Sequence, residues 1–256
     1  MSTKTVAIAG ITGKMGRLIA ESLLRRPNVQ IHGIARNPSK APAVLTSAPN
    51  VKIFEAAADD VSSIRKALKG VDITISCYLG DNKLMVDGQK LLIDASIAEN
   101  VPRFIAGDWS LDYRSLKLGD LPSKDPMIKV AQYLREKEQY EQIQGVHVLC
   151  GVFVEILTSA YGGWMNAAKD EITYFGSGDE EYDMTTMVDA AAFTAQVAMD
   201  SGATGYLQGT ISDSSWEANT MLTIYQFAAT GRARKGWRKH TKTCTMLLRR
   251  CNVRGL

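Results

Sequence analysis

The sequence predicts an α/β protein built on a doubly wound parallel β-sheet, with a smaller lobe after it. Short apolar segments alternate with amphipathic helical segments through residues 5–150, and such alternation is typical of βαβ units. A glycine-rich turn joins the first apolar segment to the first helical one. The chain has 256 residues, of which 45% are hydrophobic and 22% charged, and this is enough to bury a full core.

The first apolar segment, residues 5–9, is rich in small and β-branched residues and predicts a buried strand. Gly10, Gly13 and Gly16 follow it in the spacing G-x-x-G-x-x-G. We expect Gly10 to permit a tight turn, Gly13 to let a pyrophosphate approach the backbone, and Gly16 to bring the next helix close to the sheet. The amide groups at the start of that helix would then face the phosphates. The predicted phosphate-binding residues are Gly10, Thr12, Gly13, Lys14, Met15 and Gly16.

Further strands and helices follow at regular spacing. Strands are predicted at residues 31–35, 51–55, 73–77, 103–106 and 146–150, with helices near residues 14–26, 60–69, 83–99 and 125–144. We assign residues 1–150 to a dinucleotide-binding domain and residues 151–256 to the second lobe. In the lobe, residues 189–200 predict a helix that packs on the sheet, and residues 205–211 predict a strand that returns to it.

The second strand ends at a basic tip. Arg36 follows this strand directly, and Lys40 comes soon after it. An Asp or Glu at this place would accept hydrogen bonds from the ribose hydroxyls of NAD, whereas a guanidinium suits a 2′-phosphate and stacks on adenine. We therefore predict NADP(H) as the cofactor, with Arg36 and Lys40 beside its 2′-phosphate.

Two further strand ends would border the cofactor. After the third strand, Asp59 is predicted to lie near the adenine, and Asp60 to cap the following helix. Cys77 and Tyr78 come at the end of the fourth strand, where the ribose and diphosphate would lie against the backbone. We also interpret Cys77 as a buried and chemically inert thiol.

Charge and composition argue against several other classes of protein. The formal net charge is +3, yet residues 232–256 hold nine Lys and Arg and no acid, which leaves 21 basic against 27 acidic residues elsewhere. We interpret this tail as a solvated end and expect no nucleic-acid partner. No apolar run reaches the ~20 residues of a membrane span, and a strand begins almost at the N-terminus, so we expect a cytoplasmic protein. The three histidines and four cysteines lack ligand spacing, and we expect no metal site.

Several segments together resemble one family. They read G-I-T-G-K-M-G from Gly10, A-R-N-P from Ala35, A-L-K-G-V-D from Ala67, V-P-R-F-I-A-G-D-W from Val101 and T-T-M-V-D-A-A from Thr185. Over about residues 4–231 the chain resembles the NmrA-like group of atypical short-chain dehydrogenases, which includes the isoflavone reductases. The resemblance implies a Rossmann domain, a C-terminal substrate lobe and, in most members, NADP(H).

The resemblance also implies roles for individual residues. Reductases of this group carry an active-site lysine on the helix after the fifth strand, and Lys129 is the best match in this chain. It would bind the nicotinamide ribose or relay a proton to a reduced carbonyl. Tyr133 lies one helical turn later on the same face, in the reverse order to the Tyr-x-x-x-Lys pair of ordinary short-chain dehydrogenases. Val152 and Phe153 match the segment that covers the nicotinamide.

The second lobe is rich in aromatic and thioether side chains, which either fill a core or line a pocket for a flat, apolar substrate. Both interpretations stay open for Phe153, Trp164 and Met184. The family-like segment after the fifth strand supplies the remaining predicted contacts. Gly107 and Asp108 are predicted to contact the cofactor, and Asp108 and Trp109 the substrate.

Two features separate the chain from the isoflavone reductases. The segment after Lys129 is longer, as in fungal secondary-metabolite members, and from about Gly231 the basic tail replaces the family's usual sequence. Three functions therefore stay open. The leading hypothesis is NADPH-dependent reduction of a small, largely apolar aromatic or polycyclic metabolite. The alternatives are NADP-dependent redox sensing without turnover, which would require a protein partner, and a cofactor-dependent rearrangement or isomerisation.

Overall fold

The computed structural model describes residues 3–157, 165–166, 171–174, 183–208 and 240–243. These residues form two compact units. The first unit contains residues 3–150 and 187–208, and the second contains the described parts of residues 151–186 together with residues 240–243.

The strands and helices of the described residues have the following bounds. The strands are β1 (Lys4–Ala9), β2 (Val29–Ala35), β3 (Val51–Glu55), β4 (Ile73–Ser76), β5 (Arg103–Ile105), β6 (Gln144–Leu149), β7 (Val152–Phe153), β8 (Met165–Asn166), β9 (Glu171–Tyr174), β10 (Met184–Thr185), β11 (Gly205–Gln208) and β12 (His240–Thr243). The helices are α1 (Lys14–Leu24), α2 (Ala43–Thr46), α3 (Val61–Leu68), α4 (Gln89–Ala98), α5 (Asp125–Gln139), α6 (Val154–Leu157) and α7 (Met187–Met199).

A seven-stranded parallel sheet forms the centre of the first unit. Its strand order is β11-β6-β5-β4-β1-β2-β3, and every neighbouring pair is parallel. The order reverses between β1 and β4, where consecutive crossovers go to opposite sides. Ligands of doubly wound sheets bind at this switch point, outside the carboxyl ends of the strands. The predicted α/β fold is confirmed.

Helices cover both faces of this sheet because side chains alternate along each strand. On one face Ile8 belongs to the same core as Leu23 of α1 and Ala195 of α7. On the other face Ala7 belongs to the core that contains buried residues of α3, α4 and α5, among them Leu92. All of these side chains are inaccessible to solvent.

Helix boundaries differ from the predicted ones where side chains and local geometry intervene. The predicted helix at residues 83–99 begins with a π-helical segment, Lys83–Gly88, before α4. Helix α5 ends at Gln139 and not near residue 144, because Glu141 has a φ of 54° and Gln144 already belongs to β6. The predicted cap of α3 is confirmed, since Asp60 accepts a hydrogen bond from the N–H of Ser63 at 3.0 Å.

The returning segment of helix and strand also forms as predicted, although residues 209–211 lie outside the described part. Helix α7 packs against α1 on the sheet, and β11 pairs with β6. Arg103 of β5 is only 5% exposed, and its guanidinium donates to the carbonyls of Val197 (3.0 Å) and Ala203 (2.7 Å). Lys4 donates to the carbonyl of Met199 at 2.8 Å. Two cations thus satisfy carbonyl groups at the end of α7, where the helix dipole favours positive charge.

The second unit contains two small sheets. In one, β7 and β10 pair in parallel, with Val152 opposite Met184. In the other, β9 pairs in antiparallel fashion with β8 and β12. Gly151 has a φ of +69°, and a Cβ there would collide with the carbonyl of Asp183. This position therefore requires glycine.

Replacing Arg103 by Met is expected to lower the free energy of unfolding by about 2–4 kcal/mol, because carbonyl groups at the end of α7 lose charged donors. Arg65→Met is the matched control. Arg65 pairs with Glu99 at 2.7 Å but is 49% exposed, and such pairs contribute at most about 1 kcal/mol. Urea denaturation of both variants measures the difference. Equal losses in the two variants would contradict the role given to Arg103.

Candidate functional site

The glycine-rich turn has the geometry of a dinucleotide-binding loop. Gly10 has a φ of +81°, and its carbonyl accepts a hydrogen bond from the N–H of Gly13 at 2.9 Å. A Cβ on Gly16 would collide with the Gly10 carbonyl and come within 2.8 Å of the Cα of Ile11. Glycine at position 16 is therefore what lets α1 begin so close to β1, as predicted.

The N-terminus of α1 is open to an anion. Gly13 is the N-cap, no side chain caps the helix, and its first turn contains no acidic residue. The amide groups of this turn have no partner within the helix, and the helix dipole favours negative charge there. The backbone thus fits the paired phosphates of a dinucleotide. Of the other residues predicted to bind phosphate, Lys14 and Met15 begin α1, and Thr12 directly precedes its N-cap residue Gly13.

The tip of β2 carries two exposed cations, Arg36 and Lys40. In the part of the chain that the structure describes, neither of them forms an ion pair within 4.0 Å. The neighbouring Asn37 is occupied by the fold, because its side chain accepts hydrogen bonds from the N–H (3.1 Å) and hydroxyl (2.6 Å) of Ser39. The guanidinium of Arg36 is therefore available to a ligand at the carboxyl end of β2.

Strands β4 and β2 flank β1 in the sheet, and β3 lies beyond β2. Asp59 is exposed after β3. Cys77 follows β4 and donates its N–H to the carbonyl of Ala9 at 2.8 Å, while a Cβ on Gly10 would come within 2.8 Å of the Cys77 carbonyl. Burial raises the pKa of the Cys77 thiol and raises the pKa of Tyr78 to about 12. Both side chains are thus protonated at neutral pH, which supports the interpretation of Cys77 as an inert thiol.

Gly107 and Trp109, which follow β5, each form a hydrogen bond within the fold. Gly107 is buried, and its N–H donates to the side-chain oxygen of Gln89 at 3.0 Å. Trp109 has a φ of 34°, and its indole N–H donates to the hydroxyl of Thr194 in α7 at 2.9 Å. The polar edge of Trp109, a predicted substrate contact, is therefore used to attach α7 to the end of β5.

Asp108 belongs to a buried polar cluster that the sequence analysis missed. Its carboxylate accepts a hydrogen bond from the hydroxyl of Tyr113 (3.0 Å) and lies 2.7 Å from Nδ1 of His147. All three residues are at most 5% exposed. The ring of Tyr206 stacks on His147 with centroids 4.4 Å apart. Burial, and after it the charge of Asp108, raise the pKa of Tyr113. Asp108 and His147 are 39 residues apart in the sequence, so no local motif predicts that they lie in contact between the ends of β5 and β6.

Helix α5 carries the two residues predicted to be catalytic. Lys129 is exposed. The hydroxyl of Tyr133 donates to the carboxylate of Asp94 in α4 at 2.7 Å, and the ammonium groups of Lys90 and Lys137 lie 5.0 and 4.9 Å from its ring centre. Burial and Asp94 raise the pKa of Tyr133. The described contacts of Tyr133 are thus with α4 and α5, and none is with the glycine-rich turn or with Asp108.

Another lysine in this region, Lys124, was not among the predicted site residues. It precedes α5 and is partly buried. Burial lowers the pKa of its ammonium group, while the charges of Cys150 and Asp108 act in the opposite direction. A lysine that is partly buried within the field of a buried carboxylate is a candidate for acid–base chemistry. The sequence signal was weak, since the turn Pro122–Lys124 resembles an ordinary helix start.

The remaining predicted residues fall in the second unit or outside the described residues. Val152 and Phe153 form β7, and Met184 belongs to its partner strand β10. Met184 is buried, whereas Val152 and Phe153 are partly exposed. Trp164 lies outside the described residues. Across the described part of the chain, no group of three or more His, Cys, Asp or Glu side chains is arranged to hold a metal ion, and no helix has the length and apolar character needed to cross a membrane.

Known proteins share these features. Residues 10–146 match the NAD(P)H-binding family. Quinone oxidoreductase 2 of Escherichia coli K12 is 27% identical over 234 residues, which are 88% of this chain and 72% of that protein. Oxidoreductase aprR of Aspergillus flavus is 26% identical over 197 residues, which cover 72% of this chain and 60% of that protein.

Two solved structures illustrate the similarity of the fold. AtPrR2 with NADP+ and (+)pinoresinol superposes with a TM-score of 0.66 and 19% identity, and the match covers 82% of this chain and 71% of that one. An isoflavone reductase gives a TM-score of 0.66 with 21% identity, and the match covers 81% of this chain and 69% of that one. The resemblance drawn from the sequence motifs is confirmed. The chain belongs to the NAD(P)H-binding family, and it shares its fold with the isoflavone reductase.

Proposed function

We propose that this protein is an NADPH-dependent oxidoreductase that reduces a small, largely apolar aromatic or polycyclic metabolite. The observation that carries the choice of NADPH is the exposed guanidinium of Arg36 at the carboxyl end of β2, which forms no ion pair with any residue that the structure describes. A carboxylate at this place would favour the free ribose hydroxyls of NAD. When bound, NADPH supplies the hydride of the reduction.

Different residues of the chain would bind different parts of NADPH. The turn from Gly10 to Gly16 and the first amides of α1 hold the pyrophosphate. Arg36, with Lys40, holds the 2′-phosphate by charge-assisted hydrogen bonds. The backbone after β4 borders the ribose, as the close approach of Cys77 to Gly10 allows. Asp59 beside the adenine, and Val152 and Phe153 over the nicotinamide, stay predictions from the sequence.

The substrate class follows from the composition of the second lobe and from the relatives. Phe153, which is partly exposed, offers apolar surface to a flat molecule, and for the buried Met184 a substrate contact stays a prediction from the sequence. Residues 151–256, apart from the segment 187–208 that returns to the sheet, are proposed to form the substrate lobe. The relatives from Escherichia coli and Aspergillus flavus are named as oxidoreductases, the former of quinones. Aromatic ketones, enones and quinones are therefore the acceptors to test first. A cytoplasmic location also stays a prediction.

One observation favours the regulatory alternative. The hydroxyl of Tyr133 donates to Asp94, and Lys129 is exposed. The described contacts therefore do not connect either predicted proton donor with the other predicted site residues. A protein that binds NADP(H) without turnover would not need such a donor. This alternative is separated from reduction by the following assay.

Purified protein is expected to oxidise NADPH when it is mixed with benzylideneacetone, acetophenone or naphthoquinone. The loss of reduced-nicotinamide absorbance and the reduced product are both measured. Tight NADPH binding with no oxidation against any of these acceptors would contradict the oxidoreductase proposal and favour the regulator. Product formation at constant absorbance would instead indicate a rearrangement.

Replacing Arg36 by Ala is expected to weaken NADPH binding about 10- to 100-fold, since one or two charge-assisted hydrogen bonds to the 2′-phosphate are lost. Binding of NADH should change by less than about threefold, because it lacks that phosphate. Calorimetric titration of both cofactors measures the ratio. Arg25→Ala is the matched control, because Arg25 is an exposed arginine at the C-terminal end of α1. An unchanged preference in Arg36→Ala would contradict the assignment.

A further inference from the structure

A buried carboxylate, that of Asp108, is held by hydrogen bonds at the carboxyl end of β5. Its side chain is only 2% exposed. The oxygen Oδ2 accepts a hydrogen bond from the Tyr113 hydroxyl at 3.0 Å and lies 2.7 Å from Nδ1 of His147. An ionised carboxylate only accepts hydrogen bonds, so Nδ1 of His147 is the donor in this contact. Two donors therefore hold one oxygen of Asp108.

The chain on both sides of Asp108 is also attached to the fold. The preceding residue, Gly107, donates its N–H to the side chain of Gln89 in α4 at 3.0 Å. The following residue, Trp109, donates its indole N–H to Thr194 in α7 at 2.9 Å. The direction of the carboxylate is thus set by contacts within the first unit, and it is preorganised before a ligand binds.

The second oxygen of this carboxylate is open. Oδ1 of Asp108 has no hydrogen-bond partner among the residues that the structure describes. It is not one of the fully buried atoms of those residues that lack a partner, so the small exposed part of the side chain includes this oxygen. A carboxylate that is almost removed from water has lost hydration, which a hydrogen-bond donor of a ligand can replace.

The place of Asp108 in the sheet favours a neutral ligand group over the phosphates. Asp108 follows β5, and β4 lies between β5 and β1, whose carboxyl end leads into the glycine-rich turn. Neighbouring strands are about 4.8 Å apart, so the ends of β5 and β1 are separated by about 10 Å. A carboxylate repels the pyrophosphate, and it attracts a neutral donor that binds further along the same edge of the sheet.

The chemistry of a carboxylate also limits which neutral group it can bind. The carbonyl group of a ketone or quinone has no hydrogen to donate, and an ionised carboxylate only accepts. The group that is reduced therefore cannot be the partner of Asp108. A hydroxyl group elsewhere on the same molecule can be that partner.

We propose that Asp108 determines substrate specificity by accepting a hydrogen bond, through Oδ1, from a hydroxyl group of the substrate. The proposal rests on the oxidoreductase function proposed above and narrows its substrates to hydroxylated aromatic or polycyclic carbonyl compounds. Tyr113 and His147 are positioning residues, because they act on the substrate only through Asp108. A compound without the hydroxyl group would leave a nearly buried acceptor without a donor, and sites of this kind discriminate strongly against such analogues.

The first test compares matched acceptors on the wild-type full chain. The acceptors are benzylideneacetone, its meta- and para-hydroxy derivatives and the corresponding methoxy derivatives, since a methoxy group resembles a hydroxyl group electronically but cannot donate. For the better hydroxy isomer, kcat/KM is expected to exceed the values for its methoxy counterpart and for benzylideneacetone by about 10- to 100-fold, as one hydrogen bond to a charged group would give. Equal values would overturn the role of Asp108.

The second test measures the same preference in variants. Asp108→Asn is expected to reduce it to less than about threefold, because a neutral amide oxygen is a weaker acceptor than a carboxylate. The preference is a ratio measured on one protein, so a general loss of active protein cancels. Asp112→Asn is the matched control and should keep the preference, because Asp112 lies in the same segment and its carboxylate already pairs with Arg114 at 2.6 Å.

A preference that survives in Asp108→Asn would overturn the proposal. If this variant does not fold, Tyr113→Phe replaces it, because it removes one of the two donors that hold Asp108 and keeps the ring. Tyr113→Phe is expected to lower the preference at least about threefold, and an unchanged preference in this variant has the same meaning.

A hydrogen bond from the carboxamide of the nicotinamide is the competing assignment for Asp108. It would weaken NADPH binding to Asp108→Asn by about tenfold or more and leave the preference among the acceptors unchanged. That result would overturn the proposal. Under the proposal, the Kd of NADPH, measured by fluorescence, changes less than about threefold while the preference is lost.

Binding to the NADP+ complex separates this proposal from the proposed function, because it needs no turnover. The hydroxy and methoxy compounds are titrated into this complex by calorimetry. Tighter binding of the hydroxy compound that Asp108→Asn removes, in a protein that reduces no acceptor, would overturn the oxidoreductase function and support the role of Asp108. Reduction with no preference in rate or binding would overturn the role of Asp108 and leave the function intact. A protein that shows neither reduction nor preferential binding overturns both.

Discussion

The contact between the Gly10 carbonyl and the backbone of Gly16 sets the geometry of the cofactor side of the molecule. A Cβ at position 16 would collide with that carbonyl, so α1 can start at this place only if the residue is glycine. The start of α1 in turn directs its uncapped amides to the carboxyl end of β1. On the other side Gly10 touches the Cys77 backbone after β4. The switch point is therefore lined by backbone, and Arg36 and Lys40 add positive charge at its rim.

A second constraint shapes the other half of the sheet. The chain leaves the first unit after Cys150 and returns with α7 and β11. The return is held at the end of α7 by Arg103, and at its middle by the bond from Trp109 to Thr194. With β11 in place, Tyr206 covers the ring of His147. The buried cluster around Asp108 therefore depends on a segment that is distant in sequence, and its low dielectric surroundings are completed only when the sheet is complete.

The difference between local features and contacts that are distant in sequence explains what the sequence could predict. The strands of the first unit, the caps and the glycine-rich turn follow from periodicity and from glycine spacing, and they are local properties of the chain. The π-helical segment Lys83–Gly88 and the surroundings of Lys124 depend on tertiary packing, which periodicity does not report. The sequence analysis noted only that the histidines lack ligand spacing, and the structure gives His147 a partner in Asp108, 39 residues away in the sequence. The substrate contact of Trp109 stays a prediction, and the structure adds a hydrogen bond from its indole N–H to Thr194 that the sequence did not indicate.

The two ends of the proposed site follow different physical principles. At the phosphate end, the ligand carries the charge, and the protein needs only open amides and an exposed cation that water can reach before binding. At the reducing end, the neutral group to be reduced gains negative charge during the reaction, and a donor in bulk water would interact with it weakly. A useful donor must therefore be partly removed from water, and a partly buried cation requires a carboxylate that is itself held by hydrogen bonds. Asp108 is a carboxylate of this kind, because Tyr113 and His147 hold it at the ends of β5 and β6, whereas Lys129 lies on the exposed face of α5.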